Sequence, residues 1–347
     1  MKIVDNEILF DSIDELLNSF DTEFQTADRL RWEMVSVSNT DLRAKMIPTN
    51  PAKTLFRGQH TKYSPCVSTI SRGIKTNHLN LSDLESKEQN QILLSIIKSD
   101  WFCETIEQHP IFKWAKGQNV LVDKMALAQH YGIPTGFLDL TQDINVAAFF
   151  ACCKFVNNTW IPMSEGEGVM YYISLYDFKK WNEFSRPIAA ISHQPFPRPT
   201  QQWGWTFETF LGDDFEFFPF VKILRFKHNL NSSNQILSKF RLGESLFPPD
   251  PLADIAYDIN NSITFPRQIA IAVIKDFSSD PKGIVVNDID KTIEEISLAE
   301  GIQFIEQAPN YFTEERRDLA ESIWNLNKDN FFKGVTFRFV RTIKNGT

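Results

Sequence analysis

Cysteine is scarce in this 347-residue chain. There are four, Cys66, Cys103, Cys152 and Cys153, and none makes a CxxC pair or a Cys/His ligand spacing. A structural zinc site and a disulfide framework therefore have no support. Cys152 and Cys153 are adjacent within an apolar helical run and read as small core side chains. Positive charge is also short: 36 Lys and Arg against 44 Asp and Glu give a net charge of -8 and a pI near 5.4. That excludes broad electrostatic capture of nucleic acid or of an anionic membrane, while leaving a local basic patch open. No stretch approaches the roughly 20 consecutive apolar residues of a membrane span. The opening MKIVDNEILFDSIDELL is acidic and lacks the basic-then-apolar pattern of a secretory leader, so the expectation is a soluble, cytoplasmic protein. Also missing are a Walker loop, a dinucleotide fingerprint and a Ser-His-Asp spacing. The six histidines are scattered, so no metal is expected.

Phenylalanine, by contrast, is abundant. The 30 Phe, within 13% aromatic and 42% hydrophobic residues, supply a large core of flat side chains or an aromatic surface for a partner. The pattern along the chain mixes helices and strands without regular βαβ alternation, which predicts an α+β fold. A strand is expected within residues 2 to 10 and a helix through Ile13, Leu16, Leu17 and Phe20. One helix is expected within 21 to 50, a strand at Thr54 to Phe56, and helices over Leu81 to His109 and Asn119 to Tyr131. Gly132 suits the helix C-terminus and Pro134 prevents continuation. Phe137 to Leu140 reads as a buried strand, and Asp143 as the N-cap of the next helix. Further strands are expected at Gly168 to Leu175 and Val221 to Phe226, with a proline-rich loop between them at Pro187 to Pro199. Helices are expected at Ser233 to Phe240 and Leu252 to Ile259. Beyond residue 262 the text is more charged: a strand at Ile269 to Ile274, helices at Lys291 to Gln303 and Glu314 to Trp324, and a closing strand-like GVTFRFVRTI. The expected division is a helical lead-in (1–49), a central domain (50–261) and a C-terminal α+β extension or subdomain (262–347).

Four segments carry polar groups where a site would need them. They are LFRGQHTKYSPCVSTISRG, LAQHYGIPTGFLDLTQDINVAAFFA, Gln202-Trp203-Gly204, and Gly243 followed by Leu246-Phe247-Pro248. In that order and over about residues 50 to 258 they resemble the FRG-domain family, named for its (F/Y)RG motif. The second segment fits the family pattern Gln-His-x-Gly-x-x-Thr-x-x-Leu-Asp-x-Thr. Two positions depart from it: Gly136 stands where the family commonly has Arg, and Leu140 where it has Trp.

An early Arg, a Thr-bearing strand that enters a helix, and a later Gln or Glu element are together similar to the layout of ADP-ribosyltransferases of the Arg-Ser-Glu type. The resemblance implies a mixed or antiparallel sheet core of that kind and NAD as co-substrate. It implies transfer of ADP-ribose to a macromolecule, as by a bacterial toxin or anti-phage effector. On that reading Arg57, Gly58, Gln59, His130, Tyr131, Thr135 and Thr141 bind the cofactor, and Gln202, Glu208 and Asp139 are the candidate catalytic groups. Arg57 offers a planar bidentate donor beside a residue that allows close backbone approach, and a carboxylate would stabilise charge developing on the ribose. Two other readings remain: a non-enzymatic nucleotide-binding or interaction module, and a plain NAD glycohydrolase. Each residue also has a purely structural role open to it: an Arg57–Asp139 ion pair, His130 as a satisfied helix end, Asp139 and Thr141 as caps of backbone amides.

Overall fold

The computed structural model of the chain describes residues 2–4, 7–20, 32–36, 44–48, 53–74, 80–181, 188–209, 211–279, 284, 286, 288–331, 333 and 335–338. Its centre is an eight-stranded sheet. Numbered along the chain, the strands are β1 (Lys2–Val4), β2 (Glu7–Phe10), β3 (Thr54–Gln59), β4 (Phe137–Thr141), β5 (Glu167–Ser174), β6 (Ile188–Ala190), β7 (Gly204–Glu208) and β8 (Val221–Lys227). Their order across the sheet is β1-β2-β8-β5-β3-β4-β7-β6. Every neighbouring pair is antiparallel except β2 with β8. This is the α+β class that the irregular alternation predicts.

Successive residues of a strand face opposite sides of a sheet, and both sides here are covered. Phe56 and Met170 point to one face, where the helix Ile144–Cys152 packs with Ile13–Asn18 and Leu230–Lys239 around Phe149, Phe226 and Leu237. Leu55 and Tyr171 point to the other, into an aromatic layer that holds Phe178, Phe207, Phe215 and Phe220. Much of the phenylalanine surplus is spent in these two layers.

A third core is helical. The 21-residue helix Ser86–Ile106 begins with a capping box between Glu85 and Glu88 and packs against Pro251–Asn260, Arg267–Ser279 and Ile289–Glu300. Trp101 meets Phe265 and Tyr311 there. Residues beyond 262 thus share one apolar cluster with residues 81–133. Helix Glu314–Phe331 closes it, with Trp324 against Trp114 at 4.7 Å between ring centroids.

Two expectations need correction. Ile269 to Ile274 is not a strand but part of the helix Arg267–Ser279, which buries Ile269, Ala270, Val273 and Ile274 along one face. Within 21 to 50 the described residues are two strands: Trp32–Ser36 pairs antiparallel with Ala44–Pro48 and parallel with Val335–Arg338; the helix expected in this stretch lies outside the described residues. Within the lead-in, β1 and β2 belong to the large sheet, and Ile13–Asn18 is a described helix. The proline-rich loop contains the edge strand β6 and the short helix Pro197–Gln201.

Candidate functional site

The large sheet parts near its middle. β3 pairs along its length with β5, and β4 along its length with β7, but β3 and β4 meet only at Phe56–Thr141. The parting opens a cleft of about 160 Å³. Its apolar walls are Phe56 and Leu140 from the strands and Val146 and Phe150 from the helix Ile144–Cys152; Arg57, His130, Asp139, Thr141 and Gln202 supply the polar groups. Arg57 reaches across the parting and donates from Nη1 to the backbone carbonyl of Asp139 at 2.9 Å. The structural alternative of an Arg57–Asp139 ion pair is here a bond to the main chain, and Arg57 Nε is buried without a partner.

One chain of polar contacts ties the second motif together. The Thr135 hydroxyl donates to Gln129 Oε1 at 2.5 Å, and Gln129 Nε2 donates to Asp139 Oδ2 at 2.9 Å. Asp139 Oδ1 faces His130 Nε2 at 3.4 Å. His130 Nδ1 lies 3.1 Å from Gln202 Oε1, and Gln202 Nε2 donates to the carbonyl of Leu246 at 3.1 Å. Since that carbonyl only accepts, the Gln202 amide oxygen is the atom turned to the ring, and His130 Nδ1 is the protonated nitrogen. Burial lowers the proton affinity of His130; Asp139 and the Gln202 bond raise it, and Arg198 lowers it. The net direction is down, toward a neutral ring.

Gln202 is fixed twice. Its backbone carbonyl accepts from the Thr141 hydroxyl at 2.8 Å, while that hydroxyl accepts from the Asp143 N–H at 3.1 Å. The Asp143 side chain then caps the helix Ile144–Cys152 through the Asn145 N–H, as its N-cap assignment predicts. The Trp203 that follows has a left-handed backbone, φ 50°. Gly204 comes next because a Cβ there would stand 2.7 Å from His130 Cε1. Thr141 is buried, so Thr141→Val leaves a buried carbonyl and N–H without that partner. We expect a loss of about 1–3 kcal/mol, read as a lower urea midpoint at unchanged slope.

Gly58 has a similar reason. A Cβ on it would lie 1.8 Å from the carbonyl oxygen of Ala147 and 2.9 Å from the Ala151 nitrogen. The close approach that this glycine permits is to the protein's own helix, beneath the cleft.

Several predicted site residues lie off the cleft wall. Thr135 is fully buried, with Gln129 and the Phe137 N–H as partners, and acts through the polar chain. Tyr131 is buried behind the cleft, where its hydroxyl donates to Asp250 and its ring lies under the Arg198 guanidinium, 4.6 Å from the ring centroid. Burial pushes the Asp250 carboxyl up, and the Tyr131 bond opposes this. Gln59 and Glu208 are not lining residues either; Glu208 sits opposite Phe137 at the far end of β7 from Gly204. Of the two departures, Leu140 lines the cleft. Gly136 does not, and its carbonyl accepts the Thr209 N–H and hydroxyl, each at 2.8 Å.

Gln129, Arg198 and Arg72 were not among the predicted site residues. Gln129 had a signal, as the partner of His130 in the Gln-His pair. Arg198 lies in the proline-rich stretch with none, and donates to the His130 carbonyl at 3.2 Å. Arg72 closes the first segment. Partial burial and the charge of Arg57 both lower its proton affinity, while Asp139 raises it, so two arginines and one carboxylate share this region. Among the described residues no group of His, Cys, Asp and Glu is placed to hold a metal ion, and no helix is long and apolar enough to cross a membrane.

The segments that build the cleft floor, from β3 through the helix Ile144–Cys152, fall inside a family match: residues 52–159 fit the FRG domain. This chain contains an FRG domain. The matched range holds Arg57, Gly58, Gln129, His130, Thr135, Asp139 and Thr141, so the FRG domain supplies all of the polar chain except Gln202 and the Leu246 carbonyl, which arrive from later segments. No curated protein and no solved structure matches the chain.

Proposed function

We propose that this FRG-domain protein is an ADP-ribosyltransferase-like enzyme that splits NAD and passes ADP-ribose to a macromolecule, in the role of a toxin or anti-phage effector. The observation that supports this most is the convergence of Arg57, Asp139, Thr141 and Gln202 on one cleft with apolar walls. An early Arg, a Thr-bearing strand and a later Gln element, the features on which the resemblance to the Arg-Ser-Glu transferases rests, come together in this cleft, and a mostly antiparallel sheet carries them. At roughly 30 Å³ per water, 160 Å³ corresponds to about five waters. That is the scale of one planar ring and not of a dinucleotide. NAD would place its nicotinamide end between the Phe56 and Phe150 side of the cleft and the polar rim, with its phosphates outside, toward Arg57 and Arg72. Asp139, half-exposed, is the carboxylate nearest to developing ribose charge. Glu208 is not on the wall and drops behind Asp139 for that role. In the reaction the bond from the ribose carbon to the nicotinamide nitrogen breaks with its electron pair going to nicotinamide. A bond from the acceptor heteroatom forms at the same carbon, and the acceptor's proton passes to a base.

The test is to incubate the full chain with NAD labelled in the adenylate, together with RNA, DNA or protein acceptors in turn. The expected result is nicotinamide release and label fixed to one acceptor class. Label released only as free ADP-ribose would identify a glycohydrolase. Saturable NAD binding without turnover would identify a binding module.

A further inference from the structure

His130 and Asp139 present a conflict that the fold does not otherwise resolve. The Nδ1 proton of His130 is committed to Gln202 Oε1, so Nε2 carries a lone pair on a neutral ring. That lone pair faces Asp139 Oδ1 at 3.4 Å. Both atoms are buried and neither has a hydrogen-bond partner. Two acceptors facing one another, shielded from water, repel; a single proton between them removes the repulsion and satisfies both. We propose that His130 and Asp139 hold one shared proton, and that the cleft works as a base only in the form that has lost it.

Asp139 is the catalytic member of the pair, because its carboxyl is half-exposed and lines the cleft while the His130 side chain is almost wholly buried. His130 is a positioning residue that sets when the carboxyl is free. The surroundings bear on the balance from every side. With the proton, the pair is neutral, which burial favours. Without it the pair carries one negative charge, which Arg57 on β3, Arg72 after the first motif and Arg198 on the helix Pro197–Gln201 favour. The helix Ile144–Cys152 turns only the apolar Val146 and Phe150 to the cleft. In the proton-free form Asp139 can take the proton from an acceptor O–H or N–H as that atom attacks the ribose carbon. That step rests on the proposed transferase chemistry; the shared proton does not.

The experiment therefore has two readouts. The first uses the full chain labelled with ¹⁵N-histidine, without NAD, with the His130 signals assigned through His130→Gln. Nδ1 should stay protonated across the neutral range, and the Nε2 signal should report a protonation step that disappears in Asp139→Asn, whose amide donates to Nε2 permanently. A His130 protonated at Nε2 alone, or a titration that Asp139→Asn leaves in place, would overturn the proposal. The second is the pH dependence of turnover. Wild type should lose activity as pH falls, and His130→Gln, whose amide can donate to the Asp139 carboxylate, should move that limb to lower pH by about one unit or more. A limb that stays where it is would also overturn it. If no NAD turnover is found at all, the transferase reading fails while the ¹⁵N measurement still decides the shared proton.

Discussion

Gly58→Ala is expected to cost about 3–5 kcal/mol of stability, near the upper end of what a single methyl can do. The reason is the identity of the atoms it would strike. An alanine Cβ at 58 falls 1.8 Å from Ala147 O, 2.8 Å from Ala147 C and 2.9 Å from Ala151 N. All three are main-chain atoms of one helix, so no rotamer change relieves the clash. The helix Ile144–Cys152 would have to move off β3 as a unit. It is held there by Ala147, Ala148, Phe149 and Ala151, all buried, and by the Asp143 cap. For a domain whose total stability lies at about 5–15 kcal/mol, a loss of that size leaves a substantial unfolded fraction. Urea denaturation followed by circular dichroism checks it; a midpoint within experimental error of wild type would show that the helix can shift freely. The same variant distinguishes the two meanings of the glycine. A residue kept small for a ligand would lose binding and keep its fold.

Arg57→Ala should do the reverse. It removes one bond, to the Asp139 carbonyl, and that carbonyl borders an open cleft where water can replace the donor. The stability cost should be about 1 kcal/mol. On the proposed transferase reading, NAD turnover (kcat/KM) should fall by about 10- to 100-fold, the effect of losing a charge-assisted bond to phosphate worth about 1.5–3 kcal/mol. Arg57→Lys should recover little, because a point charge cannot reproduce a planar fork that spans two strands. The rate of nicotinamide release by wild type and both variants is the measurement. An Arg57→Ala enzyme within about threefold of wild type would remove the anion-holding role and with it much of the support for the transferase reading.

The motifs of this chain were legible, but what each residue does was legible only in part. Asp143 as an N-cap and Gly132 as a left-handed helix stop, φ 80°, follow from local rules and hold. Gly58 reads from sequence as a place where a ligand comes close, since glycine marks close approach without naming what approaches. Thr135 and Tyr131 read as cofactor contacts because they flank the motif's loop, yet both side chains turn inward, toward Gln129 and Asp250. The helix Arg267–Ser279 was missed because the six residues IAIAVI are β-branched or small and alternate poorly; its buried set repeats at helical spacing only over a longer window. Arg198 had no local signal at all. What brings it beneath His130 is the return of the chain through β6 and β7, a property of topology and not of any window of sequence.

The polar chain through the cleft draws on residues far apart in the sequence, with Thr135 at one end and the Leu246 carbonyl at the other. This has a consequence for biosynthesis. While a ribosome is still making the second half of the protein, β3, β4 and the helix between Ile144 and Cys152 can already be outside the exit tunnel, but Gln202 has no Leu246 carbonyl to orient its amide. The His130 ring is then unclamped, and the cleft has its floor without its far wall. A nascent or truncated chain is in this sense an unassembled tool. Its working edge is set only when a segment near residue 246, with no chemistry of its own, comes to rest behind it.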